Sequence, residues 1–182
     1  MEFRLFYRGP LKANGDKVHK HELRLKFHPQ LKRLWDVTPL KDNYPLFPIE
    51  EHMRPNHKVG NTIFVPVVTK ALDLVAQLEI VMLRPEEPGS IITKGGDLDN
   101  RLKTLFDALR KPKDLKELPN NYQPPPKEEV FYCLLEDDAL ITGVAMTTDR
   151  LLEFSSEDEV ILLIRVRIRG AKTTMDNMSL VG

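Results

Sequence analysis

Between Leu72 and Leu83 the chain alternates apolar and polar residues over a longer run than anywhere else in it. Leu72, Leu74, Ala76, Leu78, Ile80 and Met82 fall on one face, and Asp73, Gln77 and Glu79 fall on the other with Val75 and Val81. A helix would scatter these apolar side chains around its axis, so the run predicts a strand with one buried face. A strand needs partners, and the remaining chain offers them. Phe3 to Tyr7 alternates and is closed by Gly9-Pro10. Thr62 to Val68 is β-rich but interrupted by Pro66, Val130 to Leu135 is short and apolar, and Ala139 to Thr147 is a further candidate. Val160 to Arg169 sets Arg165, Arg167 and Arg169 against Val166 and Ile168.

One helix is clear. Leu98, Leu102, Leu105, Phe106 and Leu109 recur at offsets of three and four, which predicts a helix over Asn100 to Arg110 with one apolar stripe. Asp99 stands in the N-cap position, and Pro112 lies beyond the end. Leu23, Leu25 and Phe27 alternate with Arg24 and Lys26 and predict an extended segment, after which Pro29 opens a short helix through Leu31, Leu34 and Trp35. Residues 36–61, with Pro39, Pro45, Pro48 and Pro55, read as a long irregular loop. Arg84 to Gly96 is a turn-rich connector with Pro85, Pro88 and Gly89. Residues 111–129, with Pro124-Pro125-Pro126, read as a flexible excursion, and the tail 171–182 reads as frayed. Strands mixed with helices in this order predict an α/β or α+β fold, a mixed sheet with flanking helices, forming one domain over residues 1–170.

Composition narrows the function classes. The 182 residues suffice for one domain with a real core. With 27 basic and 27 acidic residues the net charge is zero, which disfavours a broadly cationic nucleic-acid coat. The charge is unevenly spread, however: residues 1–41 hold ten Lys and Arg against four acids. A basic arm of that kind tracks phosphates, or is simply a solvated surface. Cys133 is the one cysteine, so no internal disulfide forms, and its apolar setting makes it a core residue. No apolar run reaches the roughly 20 residues of a membrane span, and MEFRLFYRGP lacks a signal-peptide apolar region. These features read as a soluble cytoplasmic protein with no membrane partner. Trp35 reads as core, and His19 and His21 read as solvated.

The chemistry concentrates in GGDLDNRLKTLFDALR, residues 95–110, and LLEDDALI, residues 134–141. Asp97 and Asp99 stand two apart beside Gly95-Gly96, and Asn100, Lys103 and Asp107 follow on the helix. Asp137 and Asp138 stand at the start of a strand. Hard divalent cations such as Mg²⁺ and Mn²⁺ take carboxylate oxygen, and Mg²⁺ completes its shell with water and substrate phosphate. Asp97, Asp99 and Asp138 are the candidate ligands. Lys103, four residues after Asp99 on one helix face, is placed to offset phosphate charge. Taken one by one, these residues have plain structural roles: Asp99 a helix cap, Lys103 a surface partner of Asp99 or Asp107, the glycines a turn.

Their joint pattern resembles the RusA family of Holliday junction resolvases. The resemblance rests on Asp97-Leu98-Asp99-Asn100, Lys103, Asp107-Ala108-Leu109 and the later Asp137-Asp138-Ala139, and spans residues 72–169. It implies a homodimeric, Mg²⁺- or Mn²⁺-dependent endonuclease acting on branched, four-way DNA in recombination and repair. It also implies that Asp97, Asp99 and Asp138 are metal-binding catalytic acids, Lys103 the catalytic lysine, and Asn100 and Asp137 supporting residues. Candidate DNA contacts are Lys17, Lys20, Arg24, Lys94, Arg101, Lys111 and Lys113, with Lys116. Two alternatives remain at this level: a DNA-binding or assembly module of the same fold without the chemistry, and a Mg²⁺-dependent nucleotide phosphohydrolase.

Overall fold

The computed structural model describes residues 1–43, 57–85, 98–122, 130–153 and 159–181. In chain order these form β1 (Glu2–Pro10), α1 (Lys17–Leu34), β2 (Lys58–Val59), β3 (Thr62–Val68), β4 (Leu74–Arg84), α2 (Leu98–Leu109), β5 (Val130–Leu135), β6 (Ile141–Arg150), β7 (Glu159–Gly170) and α3 (Met178–Val181). Two 3₁₀ turns, Leu115–Glu117 and Asp138–Leu140, lie between α2 and β6. The fold is α+β, as expected, with the strands divided between two sheets. The larger has the order β1-β7-β4-β6, and the smaller β2-β3-β5.

β4 occupies the interior of the larger sheet, antiparallel to β7 and parallel to β6. Its alternation is realised: Leu74, Ala76, Leu78, Ile80 and Met82 are buried. Each fully buried leucine or isoleucine contributes about 1.5–3 kcal/mol, so the register of β4 is strongly fixed. Leu72 is buried as well, just before the strand, because Asp73 adopts φ 49° and turns the chain into β4. β7 buries Val160, Leu162, Ile164, Val166 and Ile168, and turns Arg165 and Arg167 outward onto Glu2 and Glu79. Pro66 is tolerated inside β3 because β2 covers only the Thr62–Ile63 end of that strand. At Pro66 one edge is open, and no ladder needs its missing N–H.

The basic N-terminal region departs from the sequence reading. Lys17–Leu34 is one helix, where an extended segment followed by a short helix was expected. Leu23, Phe27 and Leu31, four apart, make its buried stripe, while Leu25 is exposed. The alternation of Leu23, Leu25 and Phe27 was a short-window coincidence. Asp16 caps the helix, its Oδ1 accepting the His19 N–H at 2.8 Å, and Pro29 sits on the exposed side. His19 and His21 are consequently buried, not solvated. His21 meets the Tyr122 ring edge-on at 5.1 Å, and burial pushes its pKa down to about 4. His28 lies 4.4 Å from the Phe131 ring, and its Nδ1 accepts the Tyr132 N–H at 2.9 Å. These contacts fasten α1 to β5 and so join the two sheets.

Two further expectations are corrected. The first part of the 111–129 excursion, as far as Tyr122, is packed: Leu118 is buried, and Tyr122 donates its hydroxyl to Thr62 Oγ1 at 2.8 Å. Residues 123–129, with the three prolines, lie outside the described residues. The tail after Gly170 is docked rather than frayed. Asn177 is fully buried, its Nδ2 donating to the carbonyls of Leu72 and Lys172, and Leu180 enters the core. Periodicity could not reveal this, because the anchoring is by one amide and one leucine. Trp35 and Cys133 are buried core residues, as expected, and burial raises the Cys133 thiol pKa.

Candidate metal and phosphate site

α2 forms because its apolar residues share a face: Leu105, Ala108 and Leu109 are buried, and Leu98, Leu102 and Phe106 pack against the same core. It begins at Leu98, so Asp99 sits within its first turn and is not the N-cap. There the carboxylate still complements the positive end of the helix. Asp99 and Lys103 are exposed on one face, one turn apart, and Asn100 is half-buried between them. Among the described residues, neither Asp99 nor Lys103 is held in an ion pair. Lys94, Gly95, Gly96 and Asp97 lie outside the described residues.

The second acidic segment is built differently. The Glu136 N–H donates to the Val68 carbonyl at 2.9 Å, and Glu136 Oε2 accepts the Lys70 N–H at 2.8 Å. Asp137 caps the 3₁₀ turn, its Oδ1 accepting the Ala139 N–H at 2.9 Å. Its Oδ2 lies 3.8 Å from Lys70 Nζ. The Ala139 amide, aided by the Asp138 carboxyl and the charges of Lys70 and Lys113, holds Asp137 below the usual carboxylate range. Asp138 opens the turn, half-buried beside it. Lys70 and Glu136 therefore belong to this site although the sequence reading omitted them. Their separation of 66 residues gives no local signal.

The two acidic groups approach from different ends of α2. The C-terminal end is the one pinned beside the second segment: Arg110 bridges Leu135, and the Lys111 N–H donates to the Leu135 carbonyl at 2.9 Å. Asp99 lies eleven residues earlier, about 16 Å along the helix axis at a rise of 1.5 Å per residue. The donors are hard carboxylate oxygens, which suit Mg²⁺ or Mn²⁺. Among the described residues, no group of three or more His, Cys, Asp or Glu side chains is close enough to hold a metal ion.

Asp107 has another role than the sequence suggested. It is 9% exposed and turned away from Lys103. Its Oδ2 accepts from Lys20 Nζ at 2.7 Å, its Oδ1 from Arg110 Nη2 at 2.8 Å, and its carbonyl from Arg24 Nη2 at 2.8 Å. Arg110 also donates to both oxygens of Glu117, at 2.8 and 3.1 Å. Asp107 and Arg110, three apart on one helix, were findable from spacing. Lys20 and Arg24 were not, being brought in from another helix.

Several candidate DNA contacts are corrected by this packing. Arg24 is 2% exposed and Arg101 is also buried, so neither presents its guanidinium to a duplex. Lys20 is tied to Asp107, and Lys17 donates to Asn120 Oδ1. Lys111 is half-buried, whereas Lys113 and Lys116 are exposed. No helix among the described residues is long and apolar enough to cross a membrane. No family model, curated protein or solved structure matches this chain.

Proposed function

We propose that the protein is a divalent-metal-dependent endonuclease that hydrolyses phosphodiester bonds in branched DNA, and that it acts as a two-fold dimer. The observation that carries this reading is the division of labour on α2. Asp107 is consumed by buried ion pairs, while Asp99 and Lys103 stay exposed together one turn apart. A carboxylate and a lysine kept at the positive end of a helix suit a cation and a phosphate. Asp97, Asp99 and Asp138 would hold the Mg²⁺ or Mn²⁺, which supplies Lewis-acid chemistry at the phosphate when bound. Lys103 offsets charge on the phosphoryl oxygens, and Lys70 and the Ala139 amide orient Asp137 beside Asp138. Since the two acidic groups enter from different ends of α2, the closed site is placed at the dimer interface. There one protomer's Asp99 and Lys103 meet the partner's Asp138. A two-fold dimer also presents two sites to the two strands that must be cut.

The test is cleavage of a synthetic four-way junction, with linear duplex and nucleoside triphosphates as competitors, in Mg²⁺ and in EDTA. Junction cutting that needs Mg²⁺ and disappears in Asp99→Asn is the expected result. Hydrolysis of triphosphates alone would replace the endonuclease reading with a nucleotide phosphohydrolase. Junction cleavage surviving Asp99→Asn would remove the assigned residues.

A further inference from the structure

The buried ion-pair network under α1 does not balance. Lys20, Arg24 and Arg110 face only two carboxylates, Asp107 and Glu117, so one positive charge is left over. Arg24 and Arg110 are 2% and 5% exposed, and the Nε of each lacks a hydrogen-bond partner. Arg24 also sits 4.0 Å from its nearest Glu117 oxygen, longer than a hydrogen bond. Surplus charge in so enclosed a place calls for a counter-ion.

The structure has room for one beside it. A cleft of about 210 Å³ lies between the start of α1, the end of α2 and the Leu115–Glu117 turn. Lys20 and Arg110 line its inner part, with Asp107 and Glu117 already engaged by them, and Lys17 and Lys116 line it too. Lys17 is hydrogen-bonded to a neutral amide, Asn120, so its charge is not cancelled there. Asp16, the remaining acid of the lining, is occupied as the cap of α1. The positive end of α1 adds the same sign of potential.

We propose that this cleft is a phosphate-binding site, which in the endonuclease reading seats a DNA backbone phosphate away from the scissile bond. Its tetrahedral oxyanion would accept from the amines of Lys17, Lys20 and Lys116 and neutralise the charge left over by the Arg24–Arg110 network. The DNA source rests on the proposed function; the phosphate site itself does not.

Two arms test it. In the first, ¹⁵N-labelled protein is titrated with inorganic phosphate at constant ionic strength, with chloride as control. Saturable shifts confined to residues 15–20 and 115–117 are expected, with affinity falling at least tenfold in Lys17→Ala/Lys116→Ala. Both side chains are at the surface, and an unchanged Tm verifies that the variant folds. In the second, four-way-junction binding is measured against salt in EDTA. The slope of log K against log salt should shrink by about 2 in the variant, near 0.9 per lost phosphate contact. Phosphate saturation with an unchanged DNA slope would assign the cleft to a free phosphate compound. Phosphate shifts scattered over surface lysines, or equal in variant and wild type, would overturn the site. Junction binding by such a protein would leave the endonuclease reading standing, while a phosphate-binding cleft in a protein that neither binds nor cuts DNA would sink that reading alone.

Discussion

Asp107→Asn separates structure from chemistry within the motif that first drew attention to α2. The wild-type carboxylate bonds Lys20 and Arg110 through separate oxygens, and the backbone of the same residue holds Arg24. Asparagine keeps the shape but leaves three cations against Glu117 alone. Removing one partner of a buried ion pair costs about 3–5 kcal/mol. Lys20, with a side chain 27% exposed, can turn toward water, so the lower end applies. A loss of about 3 kcal/mol lowers Tm by roughly 6–12 °C for a domain of this size. Urea unfolding at pH 7, read by circular dichroism, measures it.

The pH dependence adds a second check. Burial alone would raise the Asp107 pKa, but the hydrogen bond from Lys20 and the charges of Arg110 and Lys20 hold it below the ordinary value. A carboxylate with a lowered folded pKa stabilises fully above its unfolded pKa, about 3.9. That contribution is lost as pH falls through the folded value. The gap between wild type and Asp107→Asn should therefore persist at pH 5 and close only below about pH 4. A variant within about 0.5 kcal/mol of wild type at pH 7, the range of an ordinary surface change, would refute the structural role. Asp99→Asn should behave oppositely, leaving stability within that range while abolishing junction cleavage.

Three other outcomes follow from the same geometry. Asp99→Asn and Asp138→Asn, each inactive as a homodimer, should regain junction nicking when mixed and allowed to exchange subunits, because one interface then carries both native acids. No recovery despite verified exchange would place each site within a single chain. His21 is held neutral with a pKa of about 4, so unfolding below pH 6.5 takes up a proton. Stability should fall on the order of 1 kcal/mol per pH unit from 6.5 toward 4, and His21→Phe should flatten that slope in urea titrations. Asn177→Ala should cost about 2 kcal/mol, since it leaves two buried carbonyls without donors, and a docked tail predicts slowed hydrogen exchange around Leu180.

The strands were legible because a period of two writes itself into neighbouring residues. β4 and β7 bury the faces that their alternation predicts. The stripe of α2 was legible for the same reason at a period of 3.6. α1 was misread because its buried face includes His19, His21, Arg24 and His28, which look like solvent-facing residues in a sequence. Those side chains are inward only because β5 supplies rings and α2 supplies carboxylates to receive them. The tail was misread because one buried amide and one leucine leave no periodic trace.

For the site, the sequence determined which acids and which lysine lie close along the chain, and so the chemistry they suit. Spacing along one helix is a local property, and it places Asp99 and Lys103 on one face whatever the rest of the chain does. Tertiary structure decided how those acids are used. It turned Asp107 inward to balance Lys20 and Arg110, and left Asp99 and Lys103 in solvent. It also pinned the far end of α2 beside the Asp137–Asp138 segment. Burial and long-range pairing set the free energy of a charge, and neither is encoded within a single turn of helix.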